Sequence, residues 1–238
     1  MGNEDKEMTK RIMAIIAVFV AFVTYVLLTG VFDKSIFRHI SSSLYRMLIG
    51  YVFAILLGNL TAFILSLNKY LKFSLKPLIA FLMSIPTITW VPVLLVITGI
   101  SDRTVIIAIF LGGYFQIVYN TLDGLENVDS NLIRVGKMLE LNKISILFRV
   151  SLPASLNQII VGMKLGISYS WRALVGAEML GAAYTGLGYL VFTSRQFYDL
   201  NKAFCTLFLI GFLGYILSRM IILLIEKQTI EKWGYSFD

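Results

Sequence analysis

Four uncharged apolar runs, 12–32, 47–67, 77–100 and 104–122, dominate the chain, each close to the ~20 residues an α-helix needs to cross the hydrocarbon core of a bilayer. Backbone N–H and C=O groups in lipid find no water, so each run must satisfy them internally as a helix. Barrel strands of about ten residues with alternating polarity are absent. Two further spans carry isolated charges: about 159–182, with Lys164, Arg172 and Glu178, and about 203–225, with Arg219. Hydrophobic residues fill 58% of the 238 positions and charged ones 15%, a balance foreign to a water-soluble domain. The chain therefore reads as an all-α, polytopic membrane protein with six transmembrane helices. Its first run is too long for a secretory signal peptide and lacks a small-residue cleavage site.

Basic residues orient the spans. With the N-terminus inside, cytoplasmic segments hold Lys6, Lys10 and Arg11, then Lys69, Lys72 and Lys76, then Arg134, Lys137, Lys143 and Arg149, and finally Lys227 and Lys232. The outer segments hold about half as many: Lys34, Arg38, Arg46, Arg103, Arg195 and Lys202. The bias of Lys and Arg toward the cytoplasmic side places both termini and the long polar insert 121–158 in the cytoplasm. The formal charge of +7 accordingly reads as loops facing anionic lipid and cytosol, not nucleic acid. The expected layout is a cytoplasmic N-terminus (1–11), a transmembrane domain (12–226) and a cytoplasmic tail (227–238). Within the domain lie the insert 121–158 and an outer re-entrant segment 183–202.

The chemical inventory excludes most enzymes. One cysteine, Cys205, lies in an apolar span and one histidine, His39, in a short outer loop, so neither a disulfide framework nor a Cys/His metal cluster can be built. The fragment Gly136-Lys137 is followed by Met138 and lacks the first glycine and the magnesium-binding hydroxyl of a phosphate-binding loop. Metalloprotease and serine-hydrolase templates are absent as well. No catalytic residue, cofactor site or metal site is expected, and ATP hydrolysis belongs to a separate subunit.

The insert 121–158 carries the function. Asp129 or Ser130 can cap a helix on which Leu132, Val135 and Leu139 share a side with Gly136, ending near Asn142. A second amphipathic piece, 146–150, leads into Leu152-Pro153, where the proline is expected to stop the helix before the fifth span. A short helix braced this way is a rigid projecting knob; the alternative is an interfacial helix lying on anionic lipid.

The stretch from Arg134 to Pro153 resembles the E-A-A-x3-G-x9-I-x-L-P signature of permease subunits in type I ATP-binding-cassette importers, the nitrate/sulfonate/taurine branch. Val150 stands for the isoleucine, and Leu152 and Pro153 match. Arg134 replaces the glutamate, Val135 and Gly136 the alanines, and Glu140 the glycine. The run 81–86, Phe-Leu-Met-Ser-Ile-Pro, with Val91-Pro92 and Gly99-Ile100, is similar to the family's proline-bearing third span. The run 176–181, Gly-Ala-Glu-Met-Leu-Gly, with 186–190, Gly-Leu-Gly-Tyr-Leu, is similar to a stretch peculiar to this branch. The resemblance is collinear over roughly 40–226. It implies a MetI-like permease fold in a bacterial inner membrane, a second permease copy, two ATPase subunits and an extracytoplasmic solute-binding protein. It also implies that the projecting helix sits in a groove on each ATPase. There Arg134, Lys137 and Lys143 reach acidic walls and Leu132 and Leu139 fill the centre; Val135, Gly136, Glu140, Leu141 and Pro153 complete the coupling set, with Glu140 altering the docking geometry in detail. The implied solutes are nitrate, sulfonates, taurine or a thiamine-precursor pyrimidine.

Within the spans, Pro86, Trp90, Pro92, Arg172, Glu178 and Met179 are the pore or gate candidates. The prolines kink the third span and either line a cavity or serve packing. Gly162, Gly166, Ser170, Ala173, Ala177 and Gly181 form a small-residue seam, whose ordinary meaning is close helix contact. An intramembrane charge costs roughly 2.5–3.5 kcal/mol on insertion scales. Arg172 and Glu178 stand about 120° apart at 3.6 residues per turn, too far around the helix to pair with each other. Each either lines the pore or pairs with another span, the latter being favoured. In 183–202, Gly186 and Gly188 permit a tight turn after which Leu187, Tyr189, Leu190 and Phe192 re-enter the outer membrane; Arg195 and Asp199 face the binding protein or pair. A secondary transporter or channel is the rival reading, but it would normally show inverted repeats and midplane carboxylates. Glu178 is the lone acid within the spans, and no clear repeat is visible.

Overall fold

The computed structural model describes residues 35–229, with side-chain surroundings through residue 219. The expected first span 12–32, the N-terminal segment and the tail beyond residue 229 lie outside the described residues. What is described is all-helical apart from its turns. Three helices, α1 (Ser35–Leu67), α4 (Asp102–Glu126) and the part of α10 (Leu200–Thr229) up to Arg219, are long and apolar enough to cross a membrane. The number rises to five when two bent helix pairs each count as one span.

The centre is α4, packed between α1 and α8 (Leu156–Met179). Small residues set that geometry. A Cβ on Gly50 of α1 would stand 2.7 Å from the Ile109 side chain, and one on Gly166 of α8 would stand 2.9 Å from Ile117. Gly113 of α4 lies against Ser170, whose hydroxyl donates to the Ile109 carbonyl at 2.9 Å. The seam of Gly162, Gly166, Ser170, Ala173 and Ala177 is therefore the contact face of α8 on its neighbours, the small side chains letting helix backbones approach.

The second expected span starts at residue 47, yet α1 begins at Ser35. His39 and Arg46, assigned to an outer loop by their polarity, are inside that helix, and Arg46 is buried. Its charge does not end the helix because two carboxylates meet it there. The third expected span is not one rod. It begins at Lys69 as α2 (Lys69–Ser84), breaks at Ile85-Pro86, passes through a 3-10 turn (Thr87–Trp90) and resumes as α3 (Val91–Thr98), the halves bent by 90°. Pro86 has no N–H for the ladder and pushes Ile85 out of helical space, to φ −75° and ψ 121°.

The polar insert is shorter than residues 121–158, since α4 runs to Glu126 and α8 starts at Leu156. Between them lie α5 (Ser130–Met138), a one-turn α6 (Lys143–Ile146), a π-helical turn (Leu147–Ser151) and α7 (Leu152–Ala154). Pro153 sits at the start of α7, where a missing N–H costs nothing, and so does not stop the helix. The break falls at Ser155, and the segments on either side of it meet at 70°. After α8 the chain turns through Gly186 into α9 (Leu187–Gln196), which packs on α8 and α10. Leu187, Leu190 and Val191 of α9 are buried.

Candidate functional site

Helix α5 is closed at both ends by its own sequence. The Asp129 carboxylate accepts the Asn131 amide at 2.8 Å. At the other end the Glu140 amide donates to the Lys137 carbonyl and the Leu141 amide to that of Gly136, the paired bonds of a left-handed helix cap. Glu140 takes φ 53° to make them. The helix ends at Met138, ahead of the expected stop near Asn142.

Gly136 is buried: a Cβ there would touch Ile146 and Val150 at 3.4 and 3.5 Å, so α5 leans on the α6 and π-turn segment. The Asn142 side chain caps α6 by accepting the Ser145 amide at 2.8 Å. Leu132, Val135 and Leu139 are exposed, Leu139 at 68% and Met138 at 80%. Arg134, Lys137, Glu140 and Lys143 are exposed around them, while Leu141 and Pro153 are half-buried. This is a braced helix showing an apolar centre with a basic surround.

A second cluster binds α9 to the bundle. Glu178, fully buried, accepts from Arg46 Nη1 at 2.7 Å, from the Ser43 hydroxyl at 2.9 Å and from the Gly188 amide at 3.0 Å. Arg46 continues to Asp102 at 2.7 Å and to the carbonyl and hydroxyl of Thr185. The Ser43 hydroxyl in turn accepts the Leu187 amide, and His39 Nδ1 accepts that of Gly186. Three segments thus converge on one carboxylate. Space demands glycine at the turn, because a Cβ on Gly186 would overlap the Glu178 carboxylate, and one on Gly188 would stand 2.7 Å from the Glu178 Cβ. Gly186 also has φ 128°, which disfavours any side chain.

A third feature is a cavity of about 380 Å³ at the break of the α2–α3 pair, bordered by Pro86, Thr87, Trp90, Gly112, Gln116 and Tyr169 among others. Arg172 is exposed and lies over the Tyr169 ring at 5.5 Å. Of the pore or gate candidates, Pro86 and Trp90 line this cavity and Arg172 stands beside it; Pro92 and Met179 are exposed elsewhere, and Glu178 belongs to the anchor cluster. Asp199 caps α10 by accepting the Lys202 amide at 3.0 Å.

Residues 50–229 match the model of the family described as binding-protein-dependent transport system inner membrane component. The chain belongs to this family. It is a permease, the membrane subunit of an ATP-driven importer, and an ATPase and a solute-binding protein are the partners that membership entails. Permease protein SsuC of Bacillus subtilis (strain 168), named for aliphatic sulfonates transport, is 28% identical over 208 residues, covering 87% of this chain and 74% of SsuC. The bicarbonate transport system permease protein CmpB of Synechococcus elongatus is 29% identical over 192 residues, covering 81% and 69%. A chain of the MetNI methionine ABC transporter in an inward-facing conformation superposes with a TM-score of 0.69 at 17% identity, covering 82% of this permease and 99% of that chain, a likeness of fold.

The sequence alone does not single out Arg46, Ser43, Thr185 or Gln116. The available signals are slight: Ser43 and Arg46 three residues apart, hence on one face of a helix, and a lone amide, Gln116, within an uncharged run.

Proposed function

We propose that two copies of this permease form the translocation path for a small oxyanion, with both termini and the insert in the cytoplasm. Helix α5 of each copy docks in a groove on one of two ATPase subunits. The binding protein delivers solute at the opposite face, beside α9. The observation that carries this reading is the braced apolar face of α5. Leu132, Val135, Met138 and Leu139 are exposed on a helix that is capped at both ends and braced through Gly136 against Ile146 and Val150, which is how a docking surface differs from a loop. Arg134, Lys137 and Lys143 supply charge for acidic groove walls, while Gly136, Glu140, Leu141 and Pro153 hold the helix in its pose. The resemblance of permeases named for sulfonates and for bicarbonate supports an oxyanion as solute.

Motion of the ATPases would reach the membrane through α6, α7 and the 70° junction with α8, a packed lever and not a flexible tether. Glu178 would act as gate support by tying α9 to α1 and α8. The test is Leu139→Asp, which would place an unpaired charge in the groove and cost about 2 kcal/mol or more of partner binding, as for a central interface residue. Co-expressed with its ATPase subunits and binding protein, the variant is expected to lose copurification and solute-stimulated ATP hydrolysis in nanodiscs while the permease still assembles. Normal coupling would leave α5 as an interfacial helix on lipid.

A further inference from the structure

Gln116 lies midway along α4, is 7% exposed, and makes no side-chain hydrogen bond among the described residues. Its amide borders the cavity at the broken span. No buried side-chain nitrogen or oxygen among the described residues lacks a partner, so the Gln116 amide atoms are open to the cavity, where they can hydrogen-bond to whatever fills it. The Thr87 hydroxyl, the Trp90 indole N–H and the Tyr169 hydroxyl belong to residues on the same cavity, and they too make no side-chain hydrogen bond among the described residues. Ser84, also on the rim, is satisfied locally by the Phe81 carbonyl.

The donor balance tells what the cavity accepts. Indole N–H only donates, and an amide and hydroxyls can all donate at once. No Asp, Glu, Lys or Arg lines the cavity among the described residues, so no carboxylate there can pair with a cation. The Arg172 guanidinium lies over the ring of Tyr169, one of the lining residues, and is again a donor and positive. Its volume of about 380 Å³ is at the small end of ligand sites. We infer that this cavity is a solute-contact site in the permease itself, with Gln116 as the central donor to a small acceptor-rich solute of sulfonate, nitrate or bicarbonate type. Neutral donors suit a transport path because they bind an anion without the tight, fixed pairing that would keep it from leaving. The inference rests on the importer reading above and adds the place where the solute touches this subunit.

The test uses the assembled permease–ATPase complex in nanodiscs, with Trp171→Phe and Trp233→Phe leaving Trp90 as the permease's one tryptophan, and its emission is read as the difference from the same complex carrying Trp90→Phe as well. Sodium nitrate, bicarbonate and ethanesulfonate are titrated separately, with choline as the cationic control at constant chloride. At least one anion is expected to give a saturable change in Trp90 emission, and choline none. Gln116→Leu should weaken the apparent affinity about tenfold, in keeping with loss of a hydrogen bond to a charged group, and Gln116→Glu should abolish the response. A wild-type complex with no saturable response to any of the three anions overturns the inference irrespective of the variants, as does Gln116→Leu titrating like wild type. Copurification of the ATPase subunits, read on the same samples, reports on the importer assembly: its loss with a retained anion response counts against the docking of α5 and not against this site.

Discussion

Arg46 Nη1 donates to Glu178 Oε1 at 2.7 Å, joining two helices 132 residues apart in sequence with both side chains closed off from solvent. The pair does more than neutralise itself. Glu178 also holds the Gly188 amide at the N-terminal end of α9, where the helix dipole favours a carboxylate, and Arg46 holds Thr185 just before that helix. Helix α9 is thus fixed to α1 and α8 through polar bonds at its start, while its apolar residues are buried against the bundle.

Glu178→Gln keeps the shape and removes the charge. Breaking a buried ion pair by changing one partner costs about 3–5 kcal/mol, and Asp102 remains for Arg46, so the loss should fall near the lower figure. Thermal unfolding of the purified complex is expected to shift downward with solute preference unchanged. A variant that assembles normally and prefers a different solute would place Glu178 in the translocation path instead.

Glu140 predicts a local gain. A non-glycine residue in the left-handed region costs roughly 1–2 kcal/mol, partly offset by glycine's larger loss of backbone entropy on folding, roughly 0.5–1 kcal/mol. Glu140→Gly should therefore tighten the end of α5, seen as slower hydrogen exchange at the Glu140-position and Leu141 amides, and Glu140→Val should loosen it. Exchange that quickens in the glycine variant would contradict this account of the cap.

Topology is checked by thiol accessibility. In a Cys205→Ser background, Asn131→Cys on α5 and Asp199→Cys at the start of α10 both stand at exposed positions. An impermeant maleimide applied to whole cells should label the second and not the first. The reverse pattern would invert the proposed orientation.

How far the sequence was legible depended on the range of the interaction concerned. The α5 start could be read because Asp129 acts on an amide two residues away. The fate of 77–100 was half legible: prolines announced a kink, but a 90° bend depends on what packs against either arm. Arg46 was misplaced in a loop because polarity is judged from neighbours in sequence, whereas its partners are Glu178 and Asp102. Glu140 stood out as a departure from a glycine, with its reason hidden until its φ of 53° was known.

By itself the sequence determined that this chain is a polytopic helical membrane protein and, through its signature stretches, which family it belongs to. The reason is that the cost of exposing backbone or charge to lipid is set residue by residue and shows in hydropathy. Only the tertiary structure decided which charges meet, where α9 is anchored and which amide is left facing a cavity. Those outcomes depend on helix rotation and on contacts such as that of Gly166 with Ile117, and no local pattern encodes the side of a helix on which a distant partner will arrive.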